Sequence, residues 1–197
     1  MVNAVLFYIS AASDMAAERE ILGRALAEVP VDLAWRVVQS PAGNGPVDLE
    51  AVIDADLHIL VMGHDIRAPV GLEWQVARRH GRQPIAYLKT DVLRTPAGRE
   101  FVRLVREVQA WTPFGDAASL RRDVLRTIAA YLLDRALTFA LSPAEVARLR
   151  RWQDELEIST EAVDEETRGG AGDSAILISR ERFEPTGGII IGEEREG

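Results

Sequence analysis

The sequence predicts an α/β protein: a doubly wound, five-stranded parallel sheet in strand order 2-1-3-4-5, flanked by helices. Two nearly unbroken apolar runs, at residues 2–9 and 57–61, are typical of strands that are buried on both faces. Segments with apolar residues at helical spacing alternate with the strands through short connections, and right-handed crossovers then restrict the topology. Ligands of such sheets bind beyond the carboxyl ends of the strands, at the switch point between strands one and three.

The elements follow one another in a regular order along the chain. The first strand leads into a helix that Pro30 ends, and Gly81 closes the third helix. The predicted strands are 2–9, 31–39, 56–63, 83–89 and 109–114, and the predicted helices are 15–29, 47–55, 72–81, 95–108 and 116–141.

Four regions are predicted from composition: the α/β domain at 1–141, a C-terminal helix at 142–158, an acidic, glycine-rich linker at 159–175 and a β-prone tail at 176–197. Ser142, Pro143 and Glu145 have the spacing of a helix N-terminus with a capping box. The tail contains AILIS and GGIIIG, which could pair as a hairpin, add to a sheet edge in this chain or a neighbour, or remain disordered.

Composition excludes several function classes. The chain of 197 residues has no cysteine, which rules out a disulfide framework, a thiolate nucleophile and a cysteine metal site. The net charge of -8 argues against a nucleic-acid binder. We find no basic leader and no apolar run long enough to span a membrane, so we expect a cytoplasmic protein.

The loop after the first strand is the first candidate ligand site. Ser10, Ala11, Ser13 and Asp14 precede a helix N-terminus, where small residues and free amide groups favour an anion such as phosphate. Neither GxxxxGK[ST] nor GxGxxG is present. The alternative is that Ser13 and Asp14 only cap the helix.

Glu73 is the candidate catalytic residue. We place it in the first turn of the helix after the third strand, at the ligand crevice. A carboxylate there could act as a base or stabilise an oxocarbenium ion during cleavage of an N-glycosidic bond. The alternative is that Glu73 only complements the helix dipole.

The remaining candidates lie near Glu73 in the sequence. Arg67 could pair with phosphate or carboxylate, Asp65 could bind ribose hydroxyls, and His64 is in the same loop, although solubility alone also explains polar residues there. Trp74 could stack on a base or pack in the core. We interpret His58 and His80 as structural, and we expect no metal site.

Two segments carry a recognisable pattern. In residues 7–19, FYISAASDMAAER, a strand and a turn lead to Asp-x-x-x-Glu-Arg. In residues 55–88, a helix bearing a carboxylate precedes QPIAYL. Both segments resemble a bacterial family of unknown function that is related to TIR domains and nucleoside deoxyribosyltransferases. The resemblance covers residues 2–135 and implies a flavodoxin-like or TIR-like fold. It also implies that Glu73 acts on an N-glycosidic bond in NAD or a nucleoside. The chain departs from the family pattern in the turn after strand one, in residues 64–67 and in residues 69–71.

Two functions are carried forward. The first is a TIR-like nucleotide-binding domain that cleaves NAD or a nucleoside in bacterial defence or signalling, with no cofactor besides that substrate. The second is a non-catalytic signalling or assembly module that uses the domain and the tail for protein contacts or self-association. A phosphoacceptor of the response-regulator type is disfavoured, because strand one ends in Ser10 and strand three in Met62-Gly63 rather than in acidic residues.

Overall fold

The computed structural model describes residues 4–41 and 45–169, with the backbone alone for Ala68 and for residues 158–169. The chain divides into two units, Met1–Ser159 and Thr160–Gly197. The last helix continues to Gly169, so the first part of the predicted linker, residues 159–169, is helical. Residues 170–175 of that linker and the predicted tail at 176–197 lie outside the described residues.

Five parallel strands form one sheet in the order β2-β1-β3-β4-β5, which confirms the predicted architecture. The chain reverses its direction of winding between β1 and β3, so the switch point lies there. The strands are β1 Val5–Ala11, β2 Trp35–Gln39, β3 Leu57–Met62, β4 Ile85–Lys89 and β5 Thr112–Phe114. The helices are α1 Ala16–Ala25, α2 Leu49–Asp54, α3 Ala68–Arg79, α4 Pro96–Arg106, α5 Ala117–Asp134 and α6 Pro143–Gly169, with 3₁₀ turns at Ser13–Met15 and Leu26–Glu28.

Helices cover both faces of the sheet, which explains why β1 and β3 are buried along their whole length. On one face, Phe7 and Ile59 share a core with Leu125 of α5 and Leu149 of α6. The other face carries alternate residues of the same strands. Leu60 and Met62 pack there with α3 and α4, and Tyr8 packs with α2 and α3. Because strand side chains alternate in direction, Tyr8 and Ser10 of β1 lie on this second face.

The described strands and helices differ from the predicted ones at several ends, among them the start of β2, the start of α3 and the end of α5. Strand β2 begins at Trp35 rather than at residue 31, because Val5 is the first residue of β1 and its partner in β2 is Trp35. Helix α3 begins at Ala68 rather than at residue 72, since Pro69 is accommodated in its first turn. Helix α5 ends at Asp134 rather than at residue 141, and the chain turns sharply at Ala140, where φ is 51°.

The N-terminus of α6 is fixed by the predicted capping box. The Ser142 hydroxyl accepts from the Glu145 backbone N–H at 3.3 Å, and Glu145 Oε2 accepts from the Ser142 backbone N–H at 2.8 Å. Glu145 Oε1 also accepts from the backbone N–H of Asp32, before β2, at 3.0 Å. The Ser142 hydroxyl and these backbone donors lower the pKa of Glu145 to about 2. Within the described part of the chain, no helix combines the length and apolar character that a membrane span needs.

Candidate functional site

Glu73 lies in the second turn of α3, which corrects the prediction that it occupies the first turn. Because the helix begins at Ala68, Glu73 is its sixth residue and is too far from the N-terminus to interact strongly with the helix dipole. It shares the buried face of α3 with Val70 and Ala77, at helical spacing. The sequence thus places a carboxylate at a core position of an amphipathic helix, facing the sheet.

Three hydroxyl groups converge on the Glu73 carboxylate. Tyr8 Oη donates to Glu73 Oε1 at 3.0 Å. Ser10 Oγ and Ser40 Oγ each donate to Glu73 Oε2 at 2.6 Å. Tyr8 and Ser10 come from β1, and Ser40 follows the last residue of β2. The Glu73 side chain has no exposed surface, and both of its oxygens are occupied.

His58 of β3 extends this cluster by one hydrogen bond. Its Nε2 lies 2.7 Å from Ser10 Oγ, and its ring stands edge-on to Tyr8, with ring centroids 5.1 Å apart. Burial lowers the pKa of His58 to about 3, so the imidazole is neutral at neutral pH. Burial, reinforced by the negative charge of Glu73, raises the pKa of the Tyr8 phenol, which therefore remains a donor.

No cation pairs with the Glu73 carboxylate among the described residues. The guanidinium of Arg19 donates to the Ser40 carbonyl oxygen at 3.0 Å and not to Glu73. Lys89 pairs instead with Glu18 at 2.7 Å. The hydroxyl groups alone replace the water that a buried carboxylate loses.

The loop after β1 does not cap the helix that follows it. Ala12 precedes the 3₁₀ turn and Met15 precedes α1, and neither N-terminus has a side-chain cap, so the capping alternative for Ser13 and Asp14 is wrong. Asp14 Oδ2 instead accepts from the backbone N–H of His64 at 2.8 Å. The Ala11 backbone N–H, a candidate ligand donor, is bonded to Ser40 Oγ at 3.1 Å.

The connections that follow β1 and β3 pack tightly against each other. Gly63 follows the last residue of β3 and lies beside Met15, and a Cβ atom at Gly63 would lie 2.8 Å from both Met15 Sδ and Asp14 Oδ2. Only glycine fits this close approach without a shift of its neighbours. Together with the hydrogen bond from His64 to Asp14, this packing joins the two connections at the switch point.

The loop from His64 to Arg67 is bonded to the start of α4. Asp65 Oδ1 accepts from the Ile66 backbone N–H at 2.9 Å and from the Thr95 hydroxyl. The Thr95 hydroxyl bond is the main cause that lowers the pKa of Asp65. The His64 imidazole Nδ1–H donates to the Leu93 carbonyl oxygen, while Arg67 is exposed.

Trp74 packs in the core between α3 and α4, which is the second of the two roles that the sequence left open for it. Its ring stands edge-on to Phe101 at a centroid distance of 5.6 Å, and only 6% of the residue is exposed. The Arg78 guanidinium lies 5.6 Å from the ring centroid. The Trp74 side chain therefore lies between α3 and α4, and the hydrogen bonds to Glu73 come from Tyr8, Ser10 and Ser40 instead.

The structure does not bring the predicted site residues together in one cluster. Ser10 is bonded directly to Glu73, whereas Asp14 is bonded to His64 and Asp65 is bonded to Thr95. Sequence reasoning did not connect Tyr8, Ser40 or His58 with the Glu73 carboxylate. The signal for His58 was a polar residue in an otherwise apolar strand, level with Tyr8 of β1 in the sheet register.

A cleft of about 590 Å³ lies at the edge of the sheet, away from Glu73. Its lining residues include Leu88, Arg106, Gln109 and Trp111, and none of them was a predicted site residue. The described residues contain no cluster of three or more His, Asp or Glu side chains that could bind a metal ion.

Comparison of the chain with protein-family models, with curated protein sequences and with solved structures found no match in any of the three.

Proposed function

We propose that the α/β domain binds a small, sugar-bearing ligand of the nucleotide class at the carboxyl edge of β1 and β2, and that Glu73 contacts the sugar. One observation carries the proposal: the hydroxyl groups of Tyr8, Ser10 and Ser40 converge on a buried carboxylate that has no cation partner among the described residues. A carboxylate that accepts several hydroxyl donors is complementary to the hydroxyl groups of a sugar.

The energetic cost of this arrangement supports a role beyond packing. Taking a carboxylate out of water without a cation is expensive, and an apolar side chain of similar volume at position 73 would avoid that cost. Two of the hydroxyl partners of Glu73, Ser10 and Ser40, lie at the carboxyl ends of β1 and β2, and ligands of open parallel sheets bind beyond the carboxyl ends of the strands. The resemblance to TIR domains and nucleoside deoxyribosyltransferases gives the chemistry at this edge a class, which is cleavage of an N-glycosidic bond in a bacterial signalling or defence setting.

In the proposed reaction, Glu73 stabilises the positive charge that develops on the sugar as the bond to the base breaks. Access requires a displacement, because Glu73 has no exposed surface. Of its three hydroxyl partners, Ser40 alone lies outside a strand, at the start of the connection to α2. Connections move more readily than central strands, so the ligand would enter by displacing Ser40 and taking its place on Oε2.

The test is an assay of the purified full chain with NAD, nucleosides and nucleoside monophosphates, in which released nicotinamide or free base is separated and quantified. We expect turnover by the wild type and loss of at least about two orders of magnitude in Glu73→Gln. Glu50→Gln, at an exposed position of α2, is the matched control and should retain turnover. Turnover that survives in a folded Glu73→Gln protein would show that Glu73 is not the reacting carboxylate.

A second candidate, a non-catalytic signalling or assembly module, is favoured by one specific observation. Both Glu73 oxygens accept hydrogen bonds from side chains of the protein itself, and the Asp14–His64 bond joins the connections that follow β1 and β3. In that case no substrate is consumed, and contacts to other protein chains carry the function.

Light scattering of the full chain and of a chain ending at Ser159, where the first unit ends, tests this second candidate. We expect a larger assembly for the full chain. Equal protomer numbers in both samples would contradict self-association through the C-terminal region.

A further inference from the structure

His58, Ser10 and Glu73 form a continuous chain of hydrogen bonds across the sheet and onto α3. His58 Nε2 lies 2.7 Å from Ser10 Oγ, and Ser10 Oγ lies 2.6 Å from Glu73 Oε2. All three side chains are buried, with exposed fractions of 5%, 0% and 0%. Water therefore has little access to the two hydrogen bonds, and the three side chains must satisfy one another as donors and acceptors.

The single proton of the Ser10 hydroxyl determines the direction of both bonds. Ser10 Oγ donates this proton to Glu73 Oε2. The oxygen of Ser10 must then accept from His58, which requires a proton on Nε2. In the neutral imidazole the other nitrogen, Nδ1, carries a lone pair. This assignment follows from the number of protons available and the heavy-atom distances.

The second observation concerns that other nitrogen. His58 Nδ1 is buried and has no hydrogen-bond partner among the described residues. An unpaired buried acceptor destabilises the fold, and a phenylalanine would fill a similar volume without that penalty. The histidine thus provides something that an apolar ring lacks: among the described residues, the one hydrogen bond of its imidazole is the Nε2–H donated to Ser10.

We infer that His58 is a positioning residue for Glu73: its Nε2–H fixes the Ser10 hydroxyl as a donor and so holds the carboxylate oriented for the ligand. The effect of His58 on catalysis rests on the proposed function, whereas the proton arrangement rests on the two hydrogen-bond distances alone. His58 acts through Ser10 and does not contact the ligand.

Two further hydroxyl groups face this chain of bonds: Tyr8 of β1 and Ser40 after β2 both donate to Glu73. Arg19 of α1 donates to the Ser40 carbonyl oxygen.

The direct test is ¹⁵N NMR of the imidazole nitrogens in the full chain, which contains three histidines. The His58 signals are identified by their loss in His58→Gln. We expect His58 of the wild type to have the proton on Nε2 and to remain neutral from about pH 8 to about pH 5. Ser10→Ala should abolish the preference for that tautomer. A proton on Nδ1 in the wild type, or an imidazolium at about pH 5.5, would overturn the inference whether or not the protein is an enzyme.

Two variants at position 58 give the functional test. Glutamine places an amide N–H donor near the position of Nε2 without an ionisable nitrogen, and phenylalanine retains the ring without the donor. We expect His58→Gln to retain turnover within about threefold of the wild type and His58→Phe to lose about tenfold or more in kcat, with little change in KM.

The exposed His80→Gln is the matched control and should behave as the wild type. Equal turnover by folded His58→Phe and His58→Gln would overturn the positioning role. Absence of turnover in the wild type would contradict the proposed function and leave the NMR result to decide the proton arrangement.

Discussion

The carboxylate of Asp14 accepts a hydrogen bond from the backbone N–H of His64 at 2.8 Å and so joins the connections that follow β1 and β3. In an open parallel sheet these two connections diverge at the switch point and leave a crevice between them. Asp14 Oδ2, the acceptor of this bond, would also lie 2.8 Å from a Cβ atom at Gly63. The entry of a ligand between β1 and β3 thus requires this bond to break.

Removal of the Asp14 carboxylate should loosen the switch point. Asp14→Ala leaves the His64 N–H without its acceptor, and we expect the free energy of unfolding to fall by about 1 kcal/mol. Hydrogen exchange at the His64 amide should accelerate in the native state. Ser13→Ala is the control, because Ser13 is an exposed neighbour of Asp14, and it should leave both measurements unchanged. Unaltered exchange at His64 in Asp14→Ala would mean that the bond does not close the crevice in solution.

Two glycines should respond to alanine in opposite directions. Gly63→Ala places a methyl group 2.8 Å from Met15 Sδ and Asp14 Oδ2, so we expect destabilisation by about 1–3 kcal/mol. Gly71→Ala lies within α3, where the nearest atom would be Ile66 Cγ1 at 4.0 Å, so the higher helix propensity of alanine should stabilise by up to about 1 kcal/mol. Denaturant unfolding measures both, and a stable Gly63→Ala protein would contradict the tight packing against Met15.

The hydroxyl cluster around Glu73 predicts a graded series of stabilities. Tyr8→Phe removes one hydrogen bond to a carboxylate and should cost about 1.5–3 kcal/mol. Glu73→Ala leaves three hydroxyl groups without their acceptor and creates a cavity, so the loss should be larger, about 3–5 kcal/mol. Glu73→Gln retains an acceptor oxygen and most of the volume, and should fall below Glu73→Ala in cost. If Glu73→Ala were as stable as the wild type, the cluster would not be formed as described.

The buried imidazole of His58 predicts acid destabilisation. Burial lowers the pKa of His58 from 6.5 to about 3, so between these pH values the unfolded chain binds a proton that the folded chain does not. The free energy of unfolding should therefore decrease as the pH falls below about 6.5, by up to about 1.4 kcal/mol per pH unit from this group. Denaturation curves between pH 7 and pH 4 measure the slope. His58→Gln should reduce it, whereas the exposed His80→Gln should retain it, and equal slopes in all three proteins would rule out His58 as the source.

The strand order was predictable because the buried runs in β1 and β3 and the alternation of strands with helices are local properties of the sequence. The start of α3 was not placed correctly, although Pro69 is a signal for the first turn of a helix. That error placed Glu73 in the first turn and made interaction with the helix dipole a possible explanation for a carboxylate at this position. The actual environment of Glu73 depends on Tyr8 and Ser40, which are 65 and 33 residues distant in sequence. Spacing along the chain carries no information about such contacts, and only the fold brings these side chains together.

The hydrogen bond that Glu145 accepts from Asp32 has a consequence for how this domain can be exchanged between proteins. Glu145 ties the first turn of α6 to the backbone of Asp32, and four residues later Leu149 fills the face of the core that α1 and α5 share. A chain cut at the end of α5 would lose that side chain and expose apolar surface on both neighbours. Natural recombination or deliberate fusion that transplants the five-stranded sheet must therefore carry the first turns of α6 with it, and a new partner domain can be joined only beyond them.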